Sequence, residues 1–275
     1  MAENKTLADM HTHSLHSHDS ECPIEDMLLA HLEKGCKIMA VTNHFDTWFF
    51  DRYDIFTPIK ESAEEVDRLN EKYGDKALIL KGFEISEGFW YPEIAEKVYT
   101  LADFDAVIGS AHTVRREKDP LPYSWDDFTG ADESYITEYM NKYFSEVLVL
   151  LCETDFDILA HLTCPLRYIN GKFKKNFTLD GFEDRIDLIL RTVIEKGIAL
   201  EVNTSSFGLL GDFMPYTDII KRYKELGGEL ITLGSDAHVA ENACCYFSEA
   251  ITTLKEIGFE GIYYYKKRKP IKIEI

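Results

Sequence analysis

The sequence predicts an α/β chain in which seven strand–helix units run in series and their parallel strands close into a barrel. Two observations carry this expectation. Short apolar runs alternate with longer segments whose apolar residues recur at helical spacing, several of which stop at a glycine. Residues able to bind metal collect where the apolar runs end, as they must when parallel strands all point their C-terminal ends toward one mouth.

The predicted strands are 6–10, 37–42, 77–83, 106–109, 157–160, 198–202 and 229–233. Between them, helical spacing is found over 23–35, 59–73, 133–151, 181–196, 216–226 and 247–257. In the first, Ile24, Met27, Leu28, His31 and Leu32 share a face and Gly35 supplies a stop; Gly74, Gly197, Gly227 and Gly258 end others. Strand–helix alternation of this kind favours a parallel sheet with right-handed crossovers, closed most economically as a barrel. The tail, 261–275, reads as an extended closing segment with a basic turn broken by Pro270.

Length and composition suit one domain over residues 1–275. Barrels of this kind reach such a size, and 45% hydrophobic and 13% aromatic residues supply a large core. No apolar run approaches membrane-spanning length and the first residues lack a signal-peptide stretch, so a cytoplasmic chain with no membrane partner is expected. A net charge of −19 argues against binding long nucleic acids, which need clustered Lys and Arg. It does not exclude a small anionic substrate met locally by metals and one or two arginines. Cys22, Cys36, Cys152, Cys164, Cys244 and Cys245 form no C-x-x-C pair and read as structural thiols of a reducing compartment.

The strand ends carry the chemistry. His11-Thr12-His13 sets two imidazoles on one side of an extended chain, within reach of one cation. Taken alone, two exposed histidines would explain it equally well. The continuation through His16, His18 and Asp19 is less ordinary. His44 in Asn43-His44-Phe45-Asp46 could be a satisfied core histidine. Glu84, flanked by Phe83 and Ile85, would be a costly buried charge unless paired or metal-bound. His112 and His161 repeat the pattern, the sixth run ends in Glu201 and Asn203, and Gly234-Ser235-Asp236-Ala237-His238 places an acid and an imidazole two apart. Metal sites recruit His and carboxylates from separate elements in this way.

These motifs, in this order, resemble the polymerase and histidinol phosphatase (PHP) family, and more narrowly its histidinol-phosphate phosphatases. The matching stretches are His11-Thr12-His13, Thr42-Asn43-His44, Gly82-Phe83-Glu84, Gly109-Ser110-Ala111-His112, Ala160-His161-Leu162 and Gly234-Ser235-Asp236-Ala237-His238, together with Tyr264-Tyr265-Lys266-Lys267-Arg268-Lys269-Pro270. The resemblance implies a distorted (β/α)7 barrel holding two or three divalent metal ions, whether zinc, manganese or iron. It implies that His11, His13, Glu84 and Asp236 bind the first metal, that Glu84 bridges to a second completed by His112 and His161, and that His44 and His238 hold a third. The remaining ligand of the third comes from the loop after His13, where spacing favours Asp19 and His18 is the alternative.

The expected activity is hydrolysis of L-histidinol phosphate to L-histidinol and phosphate, in histidine biosynthesis, by a metal-bridging hydroxide. Neither a G-x-S-x-G elbow nor a Cys–His nucleophile is apparent. The leaving alkoxide needs stabilisation from the third metal or from a protonated neighbour such as Asp236 or His238. Arg167 is the first choice for gripping phosphate, with Arg115 and Arg116 second and Asn203 a further substrate contact. Alternatives are a PHP-type phosphoesterase acting on nucleotides or oligonucleotide ends, and a non-catalytic PHP module. The oligomeric state is not legible.

Overall fold

The computed structural model describes residues 7–115 and 121–275, so Arg116 lies outside the described residues. Each of the seven predicted strands forms, as β1 Leu7–Asp9, β2 Cys36–Val41, β4 Leu78–Ser86, β5 Ala106–Ser110, β6 Ile158–Leu159, β7 Ala199–Asn203 and β8 Ile231–Gly234, and an unpredicted short strand, β3 His44–Asp46, follows β2. All pair in parallel in the order β1-β2-β4-β5-β6-β7-β8, and β3 resumes the course of β2 alongside β4. The two edges meet just beyond β1 and β8. Met10 N donates to Leu233 O, Asp236 N to His11 O and His13 N to Ala237 O, at 2.8–2.9 Å, so the cylinder closes at its mouth.

Strand alternation divides the apolar residues between two cores. Ala8, Met10, Ile38, Ala40, Leu80, Ala106, Ile108, Ile158, Ala160 and Ala199 fill the barrel interior. Their neighbours along the strands, such as Val107, Leu159, Leu200 and Val202, face the helices. The helices are α1 Ile24–Glu33, α2 Thr57–Tyr73, α3 Pro92–Val98, α4 Glu133–Glu153, the short turns α5 Cys164–Leu166 and α7 Phe207–Leu210, then α6 Glu183–Lys196, α8 Thr217–Glu225 and α9 Phe247–Ile257.

Helix α4 shows how the outer layer holds. Asp132 caps it by accepting from Tyr135 N at 2.8 Å, a contact of about 1 kcal/mol. Met140, Phe144, Val147 and Leu151 then recur on its buried face, each contributing about 1.5–3 kcal/mol of apolar burial. Helix α6 ends at Gly197, whose φ of 66° is the left-handed stop expected of a glycine there.

Three features depart from the sequence reading. Helix α3 begins at Pro92 and is too short for periodicity to reveal. A turn of π-helix, Arg167–Lys172, follows α5. The tail does not join the barrel sheet; β9 Gly261–Lys266 and β10 Lys269–Glu274 form a separate antiparallel ribbon. Its turn is made by Lys267 and Arg268, both at positive φ, while Pro270 lies inside β10. The ribbon tucks Tyr265 against the barrel interior, and Arg268 pairs with Asp155 and Asp157 at the start of β6.

Candidate metal centre

The inward-facing positions that carry small apolar residues low in the barrel carry donors at its upper end. Along β4, Leu80 gives way to Glu84, and along β7, Ala199 gives way to Glu201. Register places Glu84 beside His44, its partner on β3. The seam between β1 and β8 brings His11 and His13 next to Asp236. Gly234 allows that approach, since a Cβ there would stand 2.1 Å from Glu201 Oε1 and 2.7 Å from His11 Cβ. His161 and Asp236 both adopt positive φ, 21° and 53°, and strain at such residues is usually held where function needs the side chain.

Glu84 stands at the centre, fully buried. Its Oε2 lies 2.7 Å from His44 Nδ1, 3.5 Å from His11 Nε2 and 3.7 Å from His13 Nε2. Its Oε1 lies 3.0 Å from His161 Nε2 and 3.1 Å from His112 Nε2. Asp236 Oδ1 is 3.3 Å from His13 Nε2 and 3.8 Å from His11 Nε2. Asp19 Oδ2 is 3.2 Å from His238 Nε2 and 3.4 Å from His44 Nε2. His18 turns aside, half-exposed, with Nδ1 3.7 Å from Asp46 Oδ2.

The donor set suits cations better than hydrogen bonding. His11 Nε2 and His13 Nε2 face each other at 3.0 Å, where only one of the two can present a hydrogen. Glu84 Oε2 and His44 Nδ1 approach to 2.7 Å without the alignment of a hydrogen bond, and His161 Nδ1 is buried with no partner. Native interiors rarely leave so many polar atoms unpaired in one place. His11, His13 and Asp236 present one atom each within 4.8 Å of one another, as do His11, Glu84 and His161, and also His13, His44 and His238.

Electrostatics keep the carboxylates ionised. Burial pushes the Glu84 and Asp236 carboxyls up, but the surrounding imidazoles hold both well below the usual carboxylate range. Burial likewise opposes ionisation of Asp19, and hydrogen bonds from His238 and His44 overcome it. Burial lowers His13 and the charges of His238 and His44 lower it further, favouring the neutral ring. His44 is driven the other way against its burial, up to about 10, chiefly by Glu84. Ionised carboxylates and neutral imidazoles are the metal-binding forms, so cations must displace protons from His44 and from the similarly raised His11.

Around these residues stands a support shell that the motifs did not single out. Glu201 accepts from His11 Nδ1 at 2.7 Å through Oε1 and from His161 N at 2.8 Å through Oε2. Asp46 accepts from His112 Nδ1 at 3.2 Å. Glu87, buried at the end of β4, accepts the backbone N–H groups of His112 and Thr113, and burial pushes its own carboxyl up to about 7. Each carries a sequence signal: Asp46 and Glu87 follow His44 and Glu84 by two and three positions, and Glu201 ends a strand. A Glu201→Gln substitution should weaken metal binding by roughly 10- to 100-fold, the usual effect of losing an orienting carboxylate behind a ligating imidazole. Metal titration of the stripped protein measures it, and an unaltered affinity would contradict that role.

A cavity of about 390 Å³ opens above the cluster, walled by Asp19, His44, His112, His161, Asp236 and His238 on one side. Trp48, Phe49, Tyr123, Trp125 and Tyr168 line the other, and Arg167 joins the wall with Nη1 donating to Ser205 Oγ at 3.1 Å. Two residues expected near substrate lie elsewhere. Arg115 packs over the Trp90 ring, 5.0 Å from its centroid, outside the cavity wall. Asn203 is fully buried and spends its polar atoms on Glu201 and Ser205. Among the described residues no helix is long and apolar enough to cross a membrane.

The family model described as PHP domain matches residues 9–205. The histidinol-phosphatase of Lactococcus lactis is 27% identical over 276 residues, covering 96% of this chain and 98% of the relative. A protein of Clostridium acetobutylicum named probable histidinol-phosphatase is 28% identical over 269 residues, covering 94% and 97% respectively. The crystal structure of the Lactococcus lactis histidinol phosphate phosphatase complexed with zinc, L-histidinol and phosphate superposes with a TM-score of 0.78 at 26% identity, spanning 98% of this chain and 99% of that one.

Proposed function

The chain belongs to the PHP domain family, and from that premise we propose that it is a metal-dependent phosphomonoesterase converting L-histidinol phosphate to L-histidinol and phosphate. The observation that carries this reading is one buried carboxylate, Glu84, set among five imidazoles, three of which, His44, His112 and His161, line an aromatic-walled cavity. The relative of known structure binds zinc, L-histidinol and phosphate, and its likeness extends along nearly the whole of both chains.

In this reading His11, His13, Glu84 and Asp236 hold one divalent ion, Glu84 with His112 and His161 a second, and His44, His238 and Asp19 a third. Divalent cations bound there lower the pKa of water and neutralise phosphoryl oxygens. The chain's own residues do the rest. Glu201 and Asp46 orient the imidazoles behind them. Arg167 offers a planar fork to two phosphoryl oxygens. The aromatic wall suits a flat organic group that carries positive charge, by stacking and cation–π attraction.

Proton delivery to the departing alkoxide falls to His238 rather than Asp236. The Asp236 carboxyl is held well below the usual range by His11 and His13, whereas Asp19 and Asp236 outweigh burial and raise His238, favouring its protonated form. His238 Nδ1 donates to the Asp236 carbonyl at 2.9 Å, leaving Nε2 to face the cavity side and Asp19. Nε2 cannot donate a proton and bind a cation at once, so His238 would serve as acid in the two-metal form, and a third ion held by His238 and Asp19 would itself stabilise the alkoxide.

Replacing Arg167 by Ala should cost roughly 10- to 100-fold in kcat/KM, the value of a charge-assisted bond of about 1.5–3 kcal/mol, with metal content unchanged. The substrate assignment is tested with metal-replete protein offered histidinol phosphate, a nucleoside monophosphate and a short oligonucleotide. Phosphate release from histidinol phosphate is the expected result. Release from the nucleotides alone would overturn the substrate, and no release from fully loaded protein would overturn the enzyme.

A further inference from the structure

Behind the mouth, on the outer side of the β1–β8 seam, lies a second cluster of donors of different chemistry. Asp9 of β1, His31 of α1 and Cys244 of the loop before α9 each present one ligand atom within 4.8 Å of the others. Asp9 and His31 are fully buried, and Cys244 is half-buried. Cys36, the first residue of β2 and also buried, is near enough for its thiol to interact with that of Cys244, while donating to Leu7 O and Ile38 O at 3.3 Å. Three residues from three elements thus bring a carboxylate, an imidazole and a sulfur together, with a second sulfur nearby.

We propose that Asp9, His31 and Cys244, with Cys36 as the fourth donor, form a separate structural site for a borderline-soft divalent cation of the zinc class. The imidazole is already oriented for it. His31 Nδ1 donates to Met27 O at 2.8 Å within its own helix, which directs Nε2 at Asp9 Oδ2, 2.9 Å away. A neutral ring in that pose aims a lone pair at a carboxylate oxygen, so a proton or a cation must lie between them. A buried ion pair accounts for Asp9 and His31 alone. It does not account for a thiol brought to the same point from a loop more than two hundred residues later, with a second thiol from β2 beside it.

Carboxylate, imidazole and two thiolates make a four-donor N/O/S set of the kind that closes structural zinc sites, while thiolates disfavour magnesium or calcium. Binding releases the thiol protons to solvent and leaves no donor oxidised. The ion would brace the seam. The other oxygen of Asp9 accepts the N–H of His11 at 3.2 Å and of Ser235 at 3.0 Å, tying the second site to the backbone on both sides of the closure.

Cobalt(II) loading separates this site from the mouth, because a near-ultraviolet thiolate-to-cobalt charge-transfer band requires sulfur. Wild-type protein loaded with cobalt should show the band, and a chain carrying both Cys36→Ser and Cys244→Ser should lose it together with one metal per chain. Wild-type protein without the band would overturn the proposal. So would a band surviving in the doubly substituted chain, which would come from another thiol such as Cys164 on the cavity wall. A second measurement needs no variant: alkylation of Cys244, mapped by peptide mass spectrometry, should be blocked by zinc and restored by chelation. Equal alkylation in both states would overturn the assignment even if the doubly substituted chain failed to fold.

Discussion

A Glu84→Gln chain is expected to turn over substrate roughly 10²- to 10⁴-fold more slowly and to lose metal from more than one position at once. The size follows from removing one partner of a buried charge network, about 3–5 kcal/mol at roughly 1.4 kcal/mol per factor of ten. The breadth follows from geometry. Oε2 of Glu84 faces His11, His13 and His44, and Oε1 faces His112 and His161. A glutamine amide would present N–H groups to nitrogens that need a lone-pair neighbour or a shared cation, and the neutral side chain would no longer balance the charge gathered there. Metal content measured alongside turnover separates this from a purely structural defect. Full occupancy with full turnover would refute the central role of Glu84.

Exhaustive chelation should reduce phosphate release to background, with recovery on adding zinc, manganese or iron(II). It should also lower the melting point. A ligand at one hundred times its dissociation constant stabilises the native state by about 2.7 kcal/mol, or about 5–10 °C per position for a chain of this size. Five imidazoles and three carboxylates crowd together, leaving several atoms unpaired, and the stripped protein must accommodate that unaided. Turnover indifferent to chelation would end the metal-dependent reading. Calorimetry of stripped and reloaded protein supplies the stability half of the test.

Much of this site was legible beforehand for a simple reason. Parallel strands of a barrel share one direction, so an acid or imidazole at a strand end has a predictable destination. His11, His13, His44, Glu84, His112, His161 and Asp236 meet accordingly. Asp19 meets His44 and His238, while His18, its neighbour, turns toward Asp46. What stayed hidden depends on atoms rather than elements. That Glu201 backs His11 across 190 positions is a matter of which ring nitrogen faces which oxygen, and linear order carries no trace of it. Asn203 shares the inward parity of Glu201 yet is consumed by its neighbours, and Arg115 found an aromatic face instead of an anion. Cysteine spacing compares near neighbours alone and reads these thiols as structural. Cys244 meets Asp9 and His31 across the barrel's closure, which spacing cannot express.

That closure has a consequence for how the protein is made. His11 and His13 are synthesised more than two hundred residues before Asp236 and the strand that zips against them. Until it arrives the early imidazoles have an incomplete cage, and an ion reaching them meets only part of its final shell. Pairings so distant in sequence form slowly. Maturation with metal should therefore be a late event in biogenesis, and a circularly permuted gene that joins the two seam strands through a short connector should acquire its ions sooner after refolding than the natural order does.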